Sequence, residues 1–314
     1  MSNFARIIGT GSYLPPNIVT NSDLEKRIDT SDEWIRTRTG IEERRIVTDE
    51  TTCDLATQAS IKALEMAEIS AKKLDLIILA TTTPDKIFPA TATNLQKQLG
   101  ASCPAFDLQA VCAGFIFALT TAEQYIKSGK YQNILVVGSE TFTRLLNWED
   151  RTTAVLFGDG AGAVVLTNDT ETGILHSELY SDGNYQSSLH VNNRLANETG
   201  YVEMAGNEVF KYAVNSLSNL AVKTLKDANI SESELDWMVP HQANIRIIQA
   251  VAKKINMSMD KVIVTVNKHG NTSAASIPLA LDHGVRSGKI SKNDLLLFEG
   301  IGGGFSWGSV LARF

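Results

Sequence analysis

Three residues of this 314-residue chain sit where polar chemistry is easiest to arrange, at places where an apolar strand-like run hands over to a helix pattern. Cys112 lies in FDLQAVCAGF. A thiol at a helix N-terminus meets the positive end of the macrodipole, which favours thiolate and makes the sulfur nucleophilic. The competing reading is inert packing, the commoner fate of a lone cysteine, and Cys53 and Cys103 keep it. His241 follows WMVP and leads into QANIRIIQAVAKK, a helix pattern with apolar Ile245, Ile248 and Val251. A histidine there is either a site residue or a turn and capping residue. Asn271, in Lys-His-Gly-Asn-Thr-Ser, stands at a helix start, where Asn is a favoured N-cap. Its amide NH2 could equally donate to a carbonyl oxygen. The run from Glu299 to Phe305, with Gly300, Gly302, Gly303 and Gly304 around Ile301, either permits a tight turn or presents backbone N–H groups to a developing oxyanion.

The elements that must position these residues show an internal repeat. Short β-branched runs alternate with amphipathic stretches throughout, the pattern of helices packed over sheets, so an α/β class is expected. Ser70-Ala71-Lys72-Lys73-Leu74-Asp75 precedes one strand and Ser231-Glu232-Ser233-Glu234-Leu235-Asp236 another, 161 residues later. Cys112 opens AGFIFALTTAEQYIKSGK and Asn271 opens TSAASIPLALDHGVRSGK, and in each Ser-Gly-Lys begins 16 residues downstream. Self-similarity at one long period predicts two duplicated α/β halves, residues 1–170 with the cysteine and 171–314 with the histidine and asparagine, whose loops meet at a shared site. Matched in this way, Cys112 and Asn271 occupy equivalent helix starts. The run FGDGAGAVVL is not a dinucleotide fingerprint, because its glycine spacing is wrong and it leads into a strand.

Composition sets the outer limits. A net charge of −6 argues against a general nucleic-acid binder, although it leaves local basic patches open. Apolar runs such as Leu76–Ala80 and Ala163–Leu166 have strand length and fall far short of the roughly 20 residues a bilayer-spanning helix needs. The N-terminal stretch reads as a strand entering a Pro-Pro turn and lacks a secretion-signal layout, so a cytoplasmic location is expected. The three cysteines show no Cys-x-x-Cys spacing, and free thiols without disulfide or structural zinc are expected.

In combination, IIGTGSYLP, TSDEWIRTRTGI, CPAFDLQAVCAGF, FGDGAGA, VPHQANIRII, HGNTSAASIP and GGGFSWGS resemble the β-ketoacyl-acyl-carrier-protein synthase III family, in the family's order, from about residue 5 to Phe314. The resemblance implies the thiolase fold, five αβαβα layers built from two duplicated halves, as a homodimer. It implies an acyltransferase that starts fatty-acid synthesis by condensing an acyl-CoA with malonyl-acyl-carrier protein, without metal or separate cofactor. Cys112 is then the acyl-accepting nucleophile, His241 and Asn271 complete the catalytic set, and the N–H groups of Cys112 and Gly303 form the oxyanion hole.

The same resemblance matches Trp34 and Arg151 to the pair enclosing the CoA adenine, and Thr30 and Arg38 to neighbouring nucleotide contacts. Asn207, Phe210 and Asn244 match the pantetheine tunnel. Phe88 matches a residue projected across the dimer interface to close a short acyl pocket. Carrier-protein docking falls on Lys211, Arg246, Lys253 and Lys254, a locally basic stripe suited to an acidic partner. Ile301 departs from the aromatic residue of some relatives, which leaves the tunnel width open. Two rivals share the fold: a condensing enzyme of secondary metabolism and a non-catalytic partner subunit, the latter disfavoured by the intact Cys, His and Asn.

Overall fold

The run FARIIGTGSY folds as the first strand, β1 (Phe4–Tyr13), in the computed structural model of the protein, which describes residues 3–192 and 200–314. A small hairpin of β2 (Ile18–Thr20) and β3 (Glu43–Arg45) follows, enclosing helices α1 (Asn21–Glu25) and α2 (Asp32–Thr39). Helix α3 (Thr52–Ala67) begins with a reciprocal capping box, Thr51 with Asp54, which satisfies two backbone donors that a helix start otherwise leaves unpaired. Then come β4 (Leu76–Ala80), α4 (Thr91–Leu99), β5 (Ala105–Leu108), α5 (Gly114–Lys127), β6 (Asn133–Glu140), α6 (Arg151–Ala154) and β7 (Gly160–Asp169). The first sheet runs β1-β7-β6-β4-β5, with β4 parallel to both neighbours and β7 antiparallel to both of its own. Every residue of β4 is buried, as expected of a parallel strand covered on two faces.

The second half repeats the plan. It comprises β8 (Ile174–Ser181), a hairpin of β9 (Leu189–Val191) and β10 (Val202–Met204), α7 (Gly206–Asp227), β11 (Trp237–Pro240), α8 (Ile245–Lys254), α9 (Val266–His269), α10 (Ser276–Arg286), β12 (Leu295–Gly302) and β13 (Ser306–Arg313). Its sheet runs β11-β12-β13-β8. Where the first sheet has β5 as an edge, the second has only a parallel bridge from Met238 to Val262.

Three apolar cores define five layers. Helices α3 and α4 cover the outer face of the first sheet through Leu55, Ala59 and Leu95. The central layer is α5 and α10, whose Phe115, Leu119, Ile277 and Leu281 fill the space between the sheets. Helices α7 and α8 cover the second sheet through Leu217, Ala221, Ile248 and Val251. This is the thiolase fold. Each fully buried large apolar side chain contributes about 1.5–3 kcal/mol, so these layers fix the strand ends that carry the site.

The structure corrects the equivalence of Cys112 with Asn271. The short 3₁₀ turn Val111–Ala113 before α5 matches Ser273–Ala275 before α10, an offset of 162 residues, so the counterpart of Cys112 is Ala274. Val111 and Ser273 adopt the same left-handed backbone, φ +48° in both. Helix α5 has 14 residues and α10 has 11. The second helix is nearly one turn shorter, and aligning the two on their shared C-terminal Ser-Gly-Lys misplaces their starts by three residues.

Candidate active site

The two 3₁₀ turns meet at the centre of the molecule. Gly138 on β6 allows it: a Cβ there would stand 2.2 Å from the Ala274 carbonyl oxygen. From the other sheet, β12 brings its glycines against the first turn, where a Cβ on Gly302 would stand 2.7 Å from the Cys112 nitrogen. The glycine run therefore serves close backbone approach. Cys112 sits on the first turn with a β-branched, left-handed residue immediately before it, a conformation that costs of order 1–3 kcal/mol and persists only where the surroundings impose it.

Cys112, His241 and Asn271 are all buried and line one cavity of about 120 Å³. Leu156, Phe157, Leu189, Met204 and Ile301 supply its apolar wall, and Phe210, Asn244 and Ile247 line it from the α7 and α8 side. Sequence reasoning did not find Leu156, Leu189 or Met204, which occur in runs without a distinctive pattern. Ile301, left open above, faces this space directly.

His241 leaves the end of β11 with its backbone N–H donating to the Glu299 carbonyl, 2.8 Å. Gln242 fixes the turn behind it: its amide donates to the carbonyls of Pro240 and Ile263 and accepts from the N–H groups of Thr265 and Val266. The ring Nδ1 lies 2.6 Å from Ser276 Oγ, which accepts from the Gln242 N–H at 3.4 Å. A ring whose Nδ1 accepts the Ser276 proton carries its own proton on Nε2. Burial holds the imidazole down to about 3, so it is neutral at physiological pH. Ser276 carries no sequence signal beyond its place in a small-residue run.

Asn271 is pinned on both sides, its N–H donating to Leu156 O (2.8 Å) and its carbonyl accepting from Gly158 N (3.0 Å). Its side-chain Oδ1 accepts from Ser273 N at 2.9 Å. The capping and donor readings are thus both satisfied: the oxygen caps the turn, and the NH2 is left as the end that donates.

The thiol departs from expectation. Burial pushes Cys112 up to about 12, with Ser273, Asn271 and the local backbone only partly offsetting it and the Glu140 charge adding to it. Loss of hydration outweighs the helix end, so the resting nucleophile is a thiol.

The remaining predicted residues fall into three places. Trp34 on α2 carries guanidinium groups over its ring, Arg38 at 5.2 Å and Arg151 at 5.4 Å, while Arg151 also donates to Asp29 O at 2.9 Å. Thr30 is half-buried just before α2, and its hydroxyl has no partner among the described residues. Asn244 caps α8 through Arg246 N and donates to Arg38 O at 2.9 Å, tying that helix to α2. Asn207 is exposed in the first turn of α7 and does not line the cavity, whereas Phe210 does. Lys211, Arg246, Lys253 and Lys254 are exposed, and Arg246 lies over the Phe210 ring at 5.1 Å. Phe88 is 83% exposed beside Ile87 at 75%, which excludes a core role within one chain. Among the described residues no helix is long and apolar enough to cross a membrane.

Comparison with known proteins agrees with this architecture. The family described as 3-oxoacyl-[acyl-carrier-protein (ACP)] synthase III matches residues 106–183, and its C-terminal counterpart matches residues 225–314. A β-ketoacyl-[acyl-carrier-protein] synthase III of Vesicomyosocius okutanii is 69% identical over all of both chains. The crystal structure of 3-oxoacyl-[acyl-carrier-protein] synthase III from Aquifex aeolicus superposes with a TM-score of 0.96 at 51% identity, covering 99% of this chain and 100% of that one. The priming β-ketosynthase of the R1128 polyketide pathway superposes at 0.95 with 36% identity, over 99% and 97%. With identity of this order sustained from end to end, the chain belongs to the 3-oxoacyl-[acyl-carrier-protein] synthase III family, the condensing acyltransferases that initiate fatty-acid synthesis.

Proposed function

We propose that this chain carries out its family's initiating condensation in the Cys112 cavity, with an acyl-CoA and malonyl-acyl-carrier protein as its two substrates. The Cys112 sulfur attacks the acyl-CoA carbonyl, and the Cys112 and Gly303 N–H groups hold the oxyanion until CoA leaves as its thiol. Malonyl-carrier protein then enters. As CO2 departs, the enolate oxygen takes hydrogen bonds from His241 Nε2–H and the Asn271 NH2. The enolate carbon attacks the Cys112 thioester, the carbon–sulfur bond breaks to expel Cys112 as a thiolate that takes one proton from solvent, and the product is a 3-oxoacyl carrier protein, acetoacetyl for an acetyl primer. Two fixed donors in a dry site are sufficient to stabilise that charge, so the reading requires neither metal nor separate cofactor.

Outside the cavity, the CoA adenine stacks on Trp34 under Arg151, with Thr30 and Arg38 beside the nucleotide and Asn207, Phe210 and Asn244 along the pantetheine. Arg151 now lies 5.4 Å over the ring, so two stacking steps of roughly 3.5 Å require it to move outward. Lys211, Arg246, Lys253 and Lys254 receive the acidic carrier protein. The enzyme works in the cytoplasm as a homodimer in which the partner's Phe88 closes the acyl pocket, and each subunit is divided into halves at residues 1–170 and 171–314.

The observation that carries the reading is the single cavity shared by a cysteine, a neutral histidine and an asparagine NH2. The test is the intact mass of the protein after exposure to acetyl-CoA. An acetyl adduct on Cys112, discharged by malonyl-carrier protein and not by malonyl-free carrier, is the expected result. Cys112→Ser should take no adduct, and Asn271→Ala should take it without discharging it. An Asn271→Ala protein that fails to acylate yet decarboxylates normally would overturn the role assignment.

A further inference from the structure

A buried thiol that reacts must give its proton to something, and most of the polar groups around Cys112 cannot take it. The Asn271 NH2 is a donor only, and its oxygen is occupied by Ser273 N. His241 has one ring nitrogen engaged with the Ser276 hydroxyl, and burial disfavours its protonated form. Ser273 is different. It sits on the second 3₁₀ turn with a strained φ of +48°, and its side chain is fully buried. Its hydroxyl neighbours the Cys112 sulfur on one side and the Glu140 carboxylate on the other, yet it completes a hydrogen bond with no described residue. A buried hydroxyl left unpaired is costly, and a backbone held out of its preferred region adds to that cost, so the arrangement calls for a reason.

Glu140, at the end of β6, is itself fully buried. Its carboxylate accepts from Thr82 N at 3.1 Å, Thr83 Oγ1 at 2.6 Å and Thr81 Oγ1 at 3.3 Å. These donors stabilise the anion against burial, and the balance sets its affinity for a proton at about 7, that of a base poised for neutral pH.

We infer that Ser273 and Glu140 form the proton relay for acyl transfer to Cys112, an inference that rests on Cys112 being the nucleophile. As the sulfur attacks the acyl carbon, its S–H bond breaks and the proton passes to Ser273 Oγ, which hands its own proton to Glu140. When the tetrahedral adduct collapses, the bond from carbon to the CoA sulfur breaks. The proton returns through Ser273 to that sulfur, so CoA leaves as a thiol and the carboxylate is restored. In this relay Ser273 takes the proton of the reacting sulfur and is a catalytic residue; Glu140 acts through it.

Ser273→Ala removes a hydroxyl that completes no hydrogen bond among the described residues and should fold normally. In this variant, acetyl transfer from acetyl-CoA to Cys112 should slow about 10²-fold or more, and alkylation of Cys112 by iodoacetamide should slow with it. KM for acetyl-CoA and the decarboxylation of malonyl thioester should stay unchanged. Glu140→Gln keeps the shape and loses the base, so it should show the same split. Wild-type rates of acyl transfer in both variants would overturn the relay. So would equal losses in both half-reactions, which mark a structural role. Should Ser273→Ala fail to fold, the split in Glu140→Gln decides alone. Absence of any acetyl adduct on the wild-type protein would instead refute Cys112 as nucleophile, a separately visible failure.

Discussion

Replacing Ser276 with alanine isolates how the histidine is set up for the decarboxylation. Its hydroxyl bonds His241 Nδ1 at 2.6 Å and receives the Gln242 N–H at 3.4 Å, and both partners are buried. Removing it leaves the His241 ring with no hydrogen-bond partner among the described residues to fix which nitrogen holds the proton. A neutral hydrogen bond contributes a net 0.5–1.5 kcal/mol or so, which at about 1.36 kcal/mol per decade corresponds to a roughly 2- to 13-fold loss in rate. His241→Ala removes the donor itself, for which the expected loss is about 10²–10³-fold. Both losses belong to the second half-reaction. Release of labelled CO2 from malonyl-carrier protein measures it, and the intact mass of the acetylated protein measures the first half-reaction in the same preparations. If Ser276→Ala matched His241→Ala in severity, or slowed acetylation as much as decarboxylation, tautomer control by Ser276 would be refuted.

Three further outcomes are expected. With the partner's Phe88 closing the pocket, acetyl-CoA should exceed isobutyryl-CoA as primer by about tenfold or more, and Phe88→Ala should narrow that gap; equal use of the two primers by the wild-type protein would refute the pocket argument. Changing Arg246 and Lys254 together to Glu should sharply reduce turnover of malonyl-carrier protein and flatten its salt dependence while sparing acetylation from CoA, because screening acts on exposed charges; equal losses in both would point to folding or to the CoA site. For Glu140 the folded-state value of about 7 lies above its ordinary 4.5, so between those pH values the folded chain keeps a proton that the unfolded chain has released, and stability falls as pH rises through that window. Glu140→Gln cannot ionise, so its melting temperature relative to wild type should rise from pH 4.5 to 7, with histidine contributions cancelling at each pH; a pH-independent difference would argue against the buried, raised carboxyl.

Much of the molecule was legible from residue order alone. Strands such as Leu76–Ala80 and Leu295–Gly302 are apolar because they are buried on both faces, and that requirement is written locally. The duplication was visible because both halves retain the same polar openings and helix endings. Cys112, His241 and Asn271 could be singled out because each stands at a handover between elements. Where those elements begin in space was decided by packing. The shortening of α10 by almost a turn leaves its C-terminal Ser-Gly-Lys intact, so the sequence match stayed in register with the wrong end, and only the contact between the two 3₁₀ turns reveals Ala274 as the counterpart of Cys112. The protonation of the thiol was likewise beyond reach of the sequence, because a helix start predicts a lowered pKa while burial by both halves of the chain raises it. Ser276, Ser273 and Glu140 look ordinary as letters. Their roles come from the meeting of segments far apart in the sequence, and tertiary structure alone brings them to one sulfur and one imidazole.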